Sequence, residues 1–295
     1  MLEENMKTLT RRNLIFNMSK GAAGLLLLPK LMSVSASEKL VKKGRLKQSV
    51  SYWCYQKYFK LPEFARLVAE MGLPAIDLLQ PEQWEIVRQA GLVCSMGYAD
   101  AAKIPDGLNN KSNHDAIVKG LEKAIPMAAK SGVPNLIAFF GNRRGISDAE
   151  GSENCIIGLN RIKKVAEDNG VTICVELLNS KVDHKDYQGD HVTFGAQVIK
   201  AVASPRVKML FDIYHVQIMD GDIIRSIREN HDYIGHYHTG GVPGRHELDD
   251  TQELNWATVC RAIADTGFKG YVAHEFVPTR DPLKSLGEAV MMCDV

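Results

Sequence analysis

The chain has 295 residues, 45% of them hydrophobic and 24% charged, a composition that can bury a sizeable core and excludes a disordered polymer. Its 36 Lys and Arg against 35 Asp and Glu leave a formal net charge of +1, so no global field selects nucleic acid or an anionic membrane. The expected partner is a small molecule.

Residues 1–36 read as an export signal rather than as part of the fold. Arg11-Arg12 stands in the run Thr10-Arg11-Arg12-Asn13-Leu14-Ile15, an apolar stretch follows from Gly21 to Leu28, and Val34-Ser35-Ala36 supplies small residues for cleavage. The pattern is that of a twin-arginine signal and implies a periplasmic or otherwise exported protein. The apolar run falls short of the roughly 20 residues that span a bilayer, so no stable membrane insertion is expected once the signal is removed. All six cysteines lie beyond this segment. Cys54, Cys94 and Cys174 sit within apolar runs and read as small buried hydrophobes, and no CxxC pair suggests a structural zinc.

From residue 46 onward, short β-branched and apolar runs alternate with segments of helical period. The spacing predicts strands at Gln48–Tyr55, Ala75–Leu79, Val93–Tyr98, Asn135–Phe140, Thr172–Leu178, Lys208–His215, Ile234–Thr239 and Tyr271–Phe276. Helices are predicted over Leu61–Met71, Gln83–Ala90, Asp115–Ser131, Glu153–Asn169, Thr193–Ala203, Asp222–Asn230, Trp256–Thr266 and Pro282–Met292. Glycines at 72, 91, 132, 170 and 267 fall where a left-handed residue closes a helix. Strand–helix repetition implies parallel strands with right-handed crossovers. Eight units in the roughly 260 residues left after the signal match a single (β/α)8 TIM barrel, an α/β fold. The competing open doubly wound sheet lacks support, because no Gly-x-Gly-x-x-Gly follows the first strand.

Barrel enzymes carry their chemistry at the C-terminal strand ends. Four consecutive strands here end in a ligand-type residue after an apolar run: Glu176, Asp212, His238 and Glu275. Three carboxylates converging in a low-dielectric pocket repel one another, and a divalent cation relieves the conflict. The set suits one Mn²⁺, Mg²⁺, Co²⁺, Fe²⁺ or Zn²⁺. His236, two residues before His238, shares its inward face but should lie deeper.

The motifs around these residues are more specific. Glu176-Leu177-Leu178-Asn179, Phe211-Asp212-Ile213-Tyr214-His215-Val216-Gln217, Gly235-His236-Tyr237-His238, Pro243-Gly244-Arg245-His246-Glu247 and His274-Glu275-Phe276 resemble the hydroxypyruvate isomerase family of the xylose-isomerase-like barrels. The resemblance covers most of residues 46–290. It implies an isomerase or epimerase acting on a small hydroxy-carbonyl compound through an enediolate, with a single divalent metal held by Glu176, Asp212, His238 and Glu275. It further implies that Glu176 and Glu275 are the catalytic proton carriers and that His215 and Arg245 hold substrate oxygens. Glu247 is a further substrate-binding candidate beside Arg245, or else its ion-pair partner, and His184 with Tyr187 is placed to cover the pocket. Barrels of this group often pair, which leaves a homodimer open.

Two departures bear on the substrate. Hydroxypyruvate isomerases often carry Gln where this chain has His238, and ketose epimerases place a Glu where this chain has Val182. A sugar derivative released during polysaccharide breakdown suits an exported enzyme better than hydroxypyruvate. The same residues also admit an exported sugar-binding barrel without turnover, or a lyase or dehydratase that uses the enediolate to expel a leaving group.

Overall fold

A computed structural model describes residues 39–295, and the export signal read in residues 1–36 lies outside the described residues. Eight parallel strands run in chain order as β1 (Lys47–Ser51), β2 (Ala75–Asp77), β3 (Val93–Cys94), β4 (Asn135–Phe139), β5 (Thr172–Glu176), β6 (Val207–Asp212), β7 (Ile234–Thr239) and β8 (Tyr271–His274). Each is paired to its neighbours in the order β3-β2-β1-β8-β7-β6-β5-β4. Closure between the two outer strands comes from Gly97, beyond β3. Its N–H donates to the Asn135 carbonyl at 2.9 Å, and the Ile137 N–H donates back to the Gly97 carbonyl at 3.0 Å. A Cβ at Gly97 would stand 2.7 Å from Trp84 Cζ2 and 3.1 Å from Leu136 Cδ2, so the closing contact requires glycine.

The strands are buried on both faces, as expected where helices cover a parallel sheet. Inside the barrel, Ser49, Asp77, Ser95, His236 and His238 are all 0% exposed, so the interior is partly a polar network rather than a purely aliphatic plug. On the outside, α1 (Leu61–Met71), α3 (His114–Ser131) and α4 (Asp148–Asn169) end on Gly72, Gly132 and Gly170, each in the left-handed conformation. The six cysteines are buried free thiols. No helix among the described residues is long and apolar enough to cross a membrane.

All eight strands fall inside or within a residue of the segments read from the sequence, but seven of the predicted ends run past the observed ones, three of them by three residues or more. The first segment leaves the sheet after Ser51 in a 3-10 turn over Tyr52–Cys54. The third keeps regular pairing only to Cys94. The sixth stops at Asp212, where a short helix, α6 (Ile213–Met219), begins at once. The cause of that last stop is local: Asp212 Oδ1 accepts from the backbone N–H groups of Tyr214 (2.9 Å) and His215 (3.3 Å) and caps the helix. Apolar residues on both sides of the junction hide the switch of period. Conversely α4 starts five residues before the predicted Glu153, because the Ser147 hydroxyl accepts from the Glu150 N–H and sets the N-terminus.

Candidate active site

Each of the four expected ligands stands at the C-terminal end of its strand, Glu275 one residue past β8. All four are at most 4% exposed. One ligand atom from each of Glu176, Asp212, His238 and Glu275 lies within 4.8 Å of the others. His238 Nδ1 is 3.3 Å from Glu176 Oε1 and 3.7 Å from Asp212 Oδ2, and it lies closer still to Glu275 Oε2. Yet this nitrogen, completely buried, makes no hydrogen bond of good geometry. Three carboxylate oxygens and an imidazole nitrogen crowd one point without bonding one another, which is the donor set of a hard or borderline divalent cation. The residues present fit such an ion.

Arg245 supplies the only guanidinium that reaches this cluster among the described residues. Its Nη2 donates to Asp212 Oδ2 at 2.7 Å and to Glu275 Oε2 at 2.6 Å, while Nε donates to the Glu275 carbonyl at 3.1 Å. Nη1 lies 2.8 Å from His215 Nε2. The guanidinium carbon stands 5.1 Å from the Tyr214 ring centre and 5.7 Å from that of Trp53. Trp53 Nε1 donates to the other oxygen of Glu275 at 2.5 Å.

These contacts drive the two glutamates apart. Burial pushes the Glu176 carboxyl up; His238 opposes the rise, Glu275 adds to it, and the result is about 7. Burial would push Glu275 up as well, but the Arg245 guanidinium and His238 outweigh it and hold that carboxyl down at about 2. Two carboxylates with separated proton affinities suit the roles of acid and base. For His238, burial favours the neutral ring, but the carboxylates around it prevail and raise its affinity for a proton well above the ordinary value. His215 is kept neutral, chiefly by burial.

A cavity of about 580 Å³ opens above the cluster, within the range of small-molecule sites. Glu176, Glu275 and Arg245 form its polar floor, and His184, Asp183 and Tyr214 lie at its side. Trp53, Leu78, Tyr98, Phe139 and Leu178 supply an apolar wall, and Val182, 69% exposed, stands at the mouth. His184 therefore borders the pocket as expected. Tyr187 does not: it is fully buried, donating its hydroxyl to the Glu176 carbonyl at 2.9 Å and accepting from the Phe140 N–H at 2.8 Å. It braces the end of β5 from behind.

Glu247 is the clearest displacement from expectation. Its carboxylate accepts from the Thr279 N–H and hydroxyl and from the Ser285 hydroxyl, each at 2.9 Å. It borders a separate surface cavity with Arg280 and Glu288, so it pins the segment before the last helix and faces neither the pocket nor Arg245. Two donors of Thr279 after β8 and the Ser285 hydroxyl of the last helix hold this carboxylate, while the Arg245 guanidinium is already held by the deeper carboxylates. Trp53, by contrast, touches Glu275 and was not singled out from the sequence, where it sits inside an apolar strand-like run.

A family model described as xylose isomerase-like TIM barrel matches residues 59–293. The chain belongs to that family. A human protein that carries the provisional name hydroxypyruvate isomerase is 27% identical over 249 residues, covering 79% of this chain and 90% of its own. A protein of Agrobacterium fabrum named D-psicose 3-epimerase is 25% identical over 256 residues, covering 78% and 84%. Among solved structures, an AP endonuclease of family 2 from Brucella melitensis superposes with a TM-score of 0.73 at 22% identity, covering 82% of this chain and 97% of its own. That last likeness bears on the fold alone. The two named relatives carry an isomerase and an epimerase name.

Proposed function

We propose that the protein is a metal-dependent isomerase or epimerase of a small keto-sugar or hydroxy-carbonyl compound. The observation that carries the proposal is the convergence of Glu176, Asp212, His238 and Glu275 on one point beneath an open cavity. A divalent ion held by those four residues would supply positive charge opposite the negative charge that builds on adjacent substrate oxygens as a carbon proton leaves. Glu275, kept ionised beside Arg245, is suited to take that proton, and Glu176 is the second carboxylate that would carry one to the neighbouring carbon or the opposite face. Arg245 orients the substrate oxygens from the cavity floor, and the apolar wall excludes water. His215, expected to hold substrate, is buried outside the lining with Nδ1 against Asn179 and Nε2 against Arg245, and so braces the guanidinium instead. The size of the cavity and its aromatic lining favour a keto-sugar or sugar derivative over a three-carbon acid, in keeping with the exported location we assign from residues 1–36 and with a single catalytic barrel after them.

Incubating the Mn²⁺-loaded protein in D₂O with hydroxypyruvate and a panel of ketoses and keto-sugars tests this reading. Deuterium should enter a carbon next to the carbonyl of at least one candidate, and Glu275→Gln should lower the exchange by several hundredfold or more with an unchanged thermal transition. A Glu275→Gln variant that exchanges at the wild-type rate would remove the proton-transfer assignment. Binding without exchange would favour a sugar-binding barrel, and loss of a substituent in place of exchange would favour a lyase.

A further inference from the structure

Below the four ligands lies a fifth acidic side chain that the proposed reaction does not use. Asp77, the last residue of β2, points into the barrel and is 0% exposed. Its Oδ2 lies 2.8 Å from Nε2 of His238. The other oxygen, Oδ1, accepts from the Ser95 hydroxyl at 2.5 Å and lies 3.2 Å from His236 Nε2. Ser95 also lies 3.0 Å from the Ser49 hydroxyl, and its carbonyl accepts from Asn135 Nδ2 at 2.9 Å. Asp77 is thus fixed by β1, β3 and β7 and has no path to the cavity above.

A carboxylate only accepts hydrogen bonds, so the His238 nitrogen facing it must carry hydrogen. That leaves Nδ1, the atom beside Glu176, Asp212 and Glu275, as the one free to exchange a proton for a metal ion. The rings of His236 and His238 stand edge to face, 88° apart with centres separated by 5.2 Å, so His236 packs against the His238 ring beside Asp77. From this geometry we infer that Asp77 is a positioning residue for the metal site: it sets which nitrogen of His238 ligates and aims that nitrogen at the three carboxylates. Ser95 and Ser49 in turn set the rotamer of Asp77. The inference rests on the metal reading of the four-ligand cluster.

Asp77→Asn tests it, because the amide preserves shape while its NH₂ can present a donor to Nε2 and so drive the hydrogen onto Nδ1. Competition with a coloured chelator should show Mn²⁺ and Zn²⁺ bound about 10–100-fold more weakly by Asp77→Asn than by the wild type, at an unchanged thermal transition of the metal-free protein. In the Zn²⁺-loaded wild type, ¹⁵N-histidine spectra should show a slowly exchanging proton on His238 Nε2 and none on Nδ1. That spectrum requires no variant, so a misfolded Asp77→Asn would not shelter the inference. A wild type that binds metal while Asp77→Asn binds equally tightly, or a loaded wild type with the proton on Nδ1, would overturn the role of Asp77 alone. A wild type that binds no divalent ion would overturn the metal reading and this inference with it.

Discussion

Metal binding should weaken steeply as pH falls below 7, and the cause is the proton on Glu176. Burial and the Glu275 charge raise the carboxyl of Glu176 to about 7, so at pH 5.5 nearly every molecule carries a proton there that a cation must displace. Well below that value each pH unit costs about 1.4 kcal/mol; because half the molecules already carry the proton at pH 7, the drop from pH 7 to 5.5 costs about 1.6 kcal/mol, or roughly sixteenfold in affinity. His238, whose proton is also held above its ordinary value by the surrounding carboxylates, releases a second proton and steepens the slope. Glu275 adds nothing over this range, since its carboxyl is ionised down to about 2. The assay is Mn²⁺ affinity by chelator competition from pH 5.5 to 8, with calorimetry in two buffers of different ionisation enthalpy to count the protons released. In Glu176→Gln the contribution from that carboxyl should vanish and the slope should fall by about one decade per unit. Affinity constant within threefold between pH 5.5 and 7 would refute the reasoning, because it would mean that no group in the cluster holds a proton the ion must displace.

Arg245→Lys keeps a positive charge but loses the fork that spans Asp212, Glu275 and His215. Losing one or two charge-assisted hydrogen bonds, each about 1.5–3 kcal/mol, should lower kcat/KM by roughly 10- to 100-fold or more, measured by steady-state kinetics on whichever substrate the exchange panel reveals. Gly97→Ala should destabilise the barrel by about 1–3 kcal/mol, since its methyl would press on Trp84 and Leu136 at the seam, and calorimetry should show a lower Tm with metal affinity little changed.

Much of the architecture was legible because parallel strands buried on both faces stand out as apolar runs, and because glycine closes so many of the helices. That Glu176, Asp212, His238 and Glu275 would meet was legible for a related reason: a Glu, Asp or His ends an apolar run on four successive strands, and parallel barrel strands bring such ends together. Asp77 obeys the same rule, yet it was passed over, because Leu78 and Leu79 prolong the apolar run and move the apparent strand end past it. Once β2 is seen to end at Asp77, that residue joins the pattern. Trp53 was hidden in the same way, in a 3-10 turn that reads as strand. Glu247 was misplaced for the opposite reason: adjacency in sequence to Arg245 suggested a shared task, but consecutive loop residues project to different sides. Which nitrogen of His238 faces which acid depends on contacts between β2 and β7, 161 residues apart, and no local pattern encodes it.

The polar floor and the apolar wall come from different lengths of the chain. Every atom of the four-ligand cluster is contributed after residue 175, whereas most of the apolar lining, Trp53, Leu78, Tyr98, Ile104 and Phe139 among it, comes from before residue 140. Drift among Leu78, Tyr98, Ile104 and Phe139 would reshape which molecules are admitted while leaving the four clustered side chains in place, whereas Trp53 and Asp77, also from the earlier half, touch that cluster directly. A barrel partitioned in this way lets selectivity and reactivity evolve at separate rates within one polypeptide.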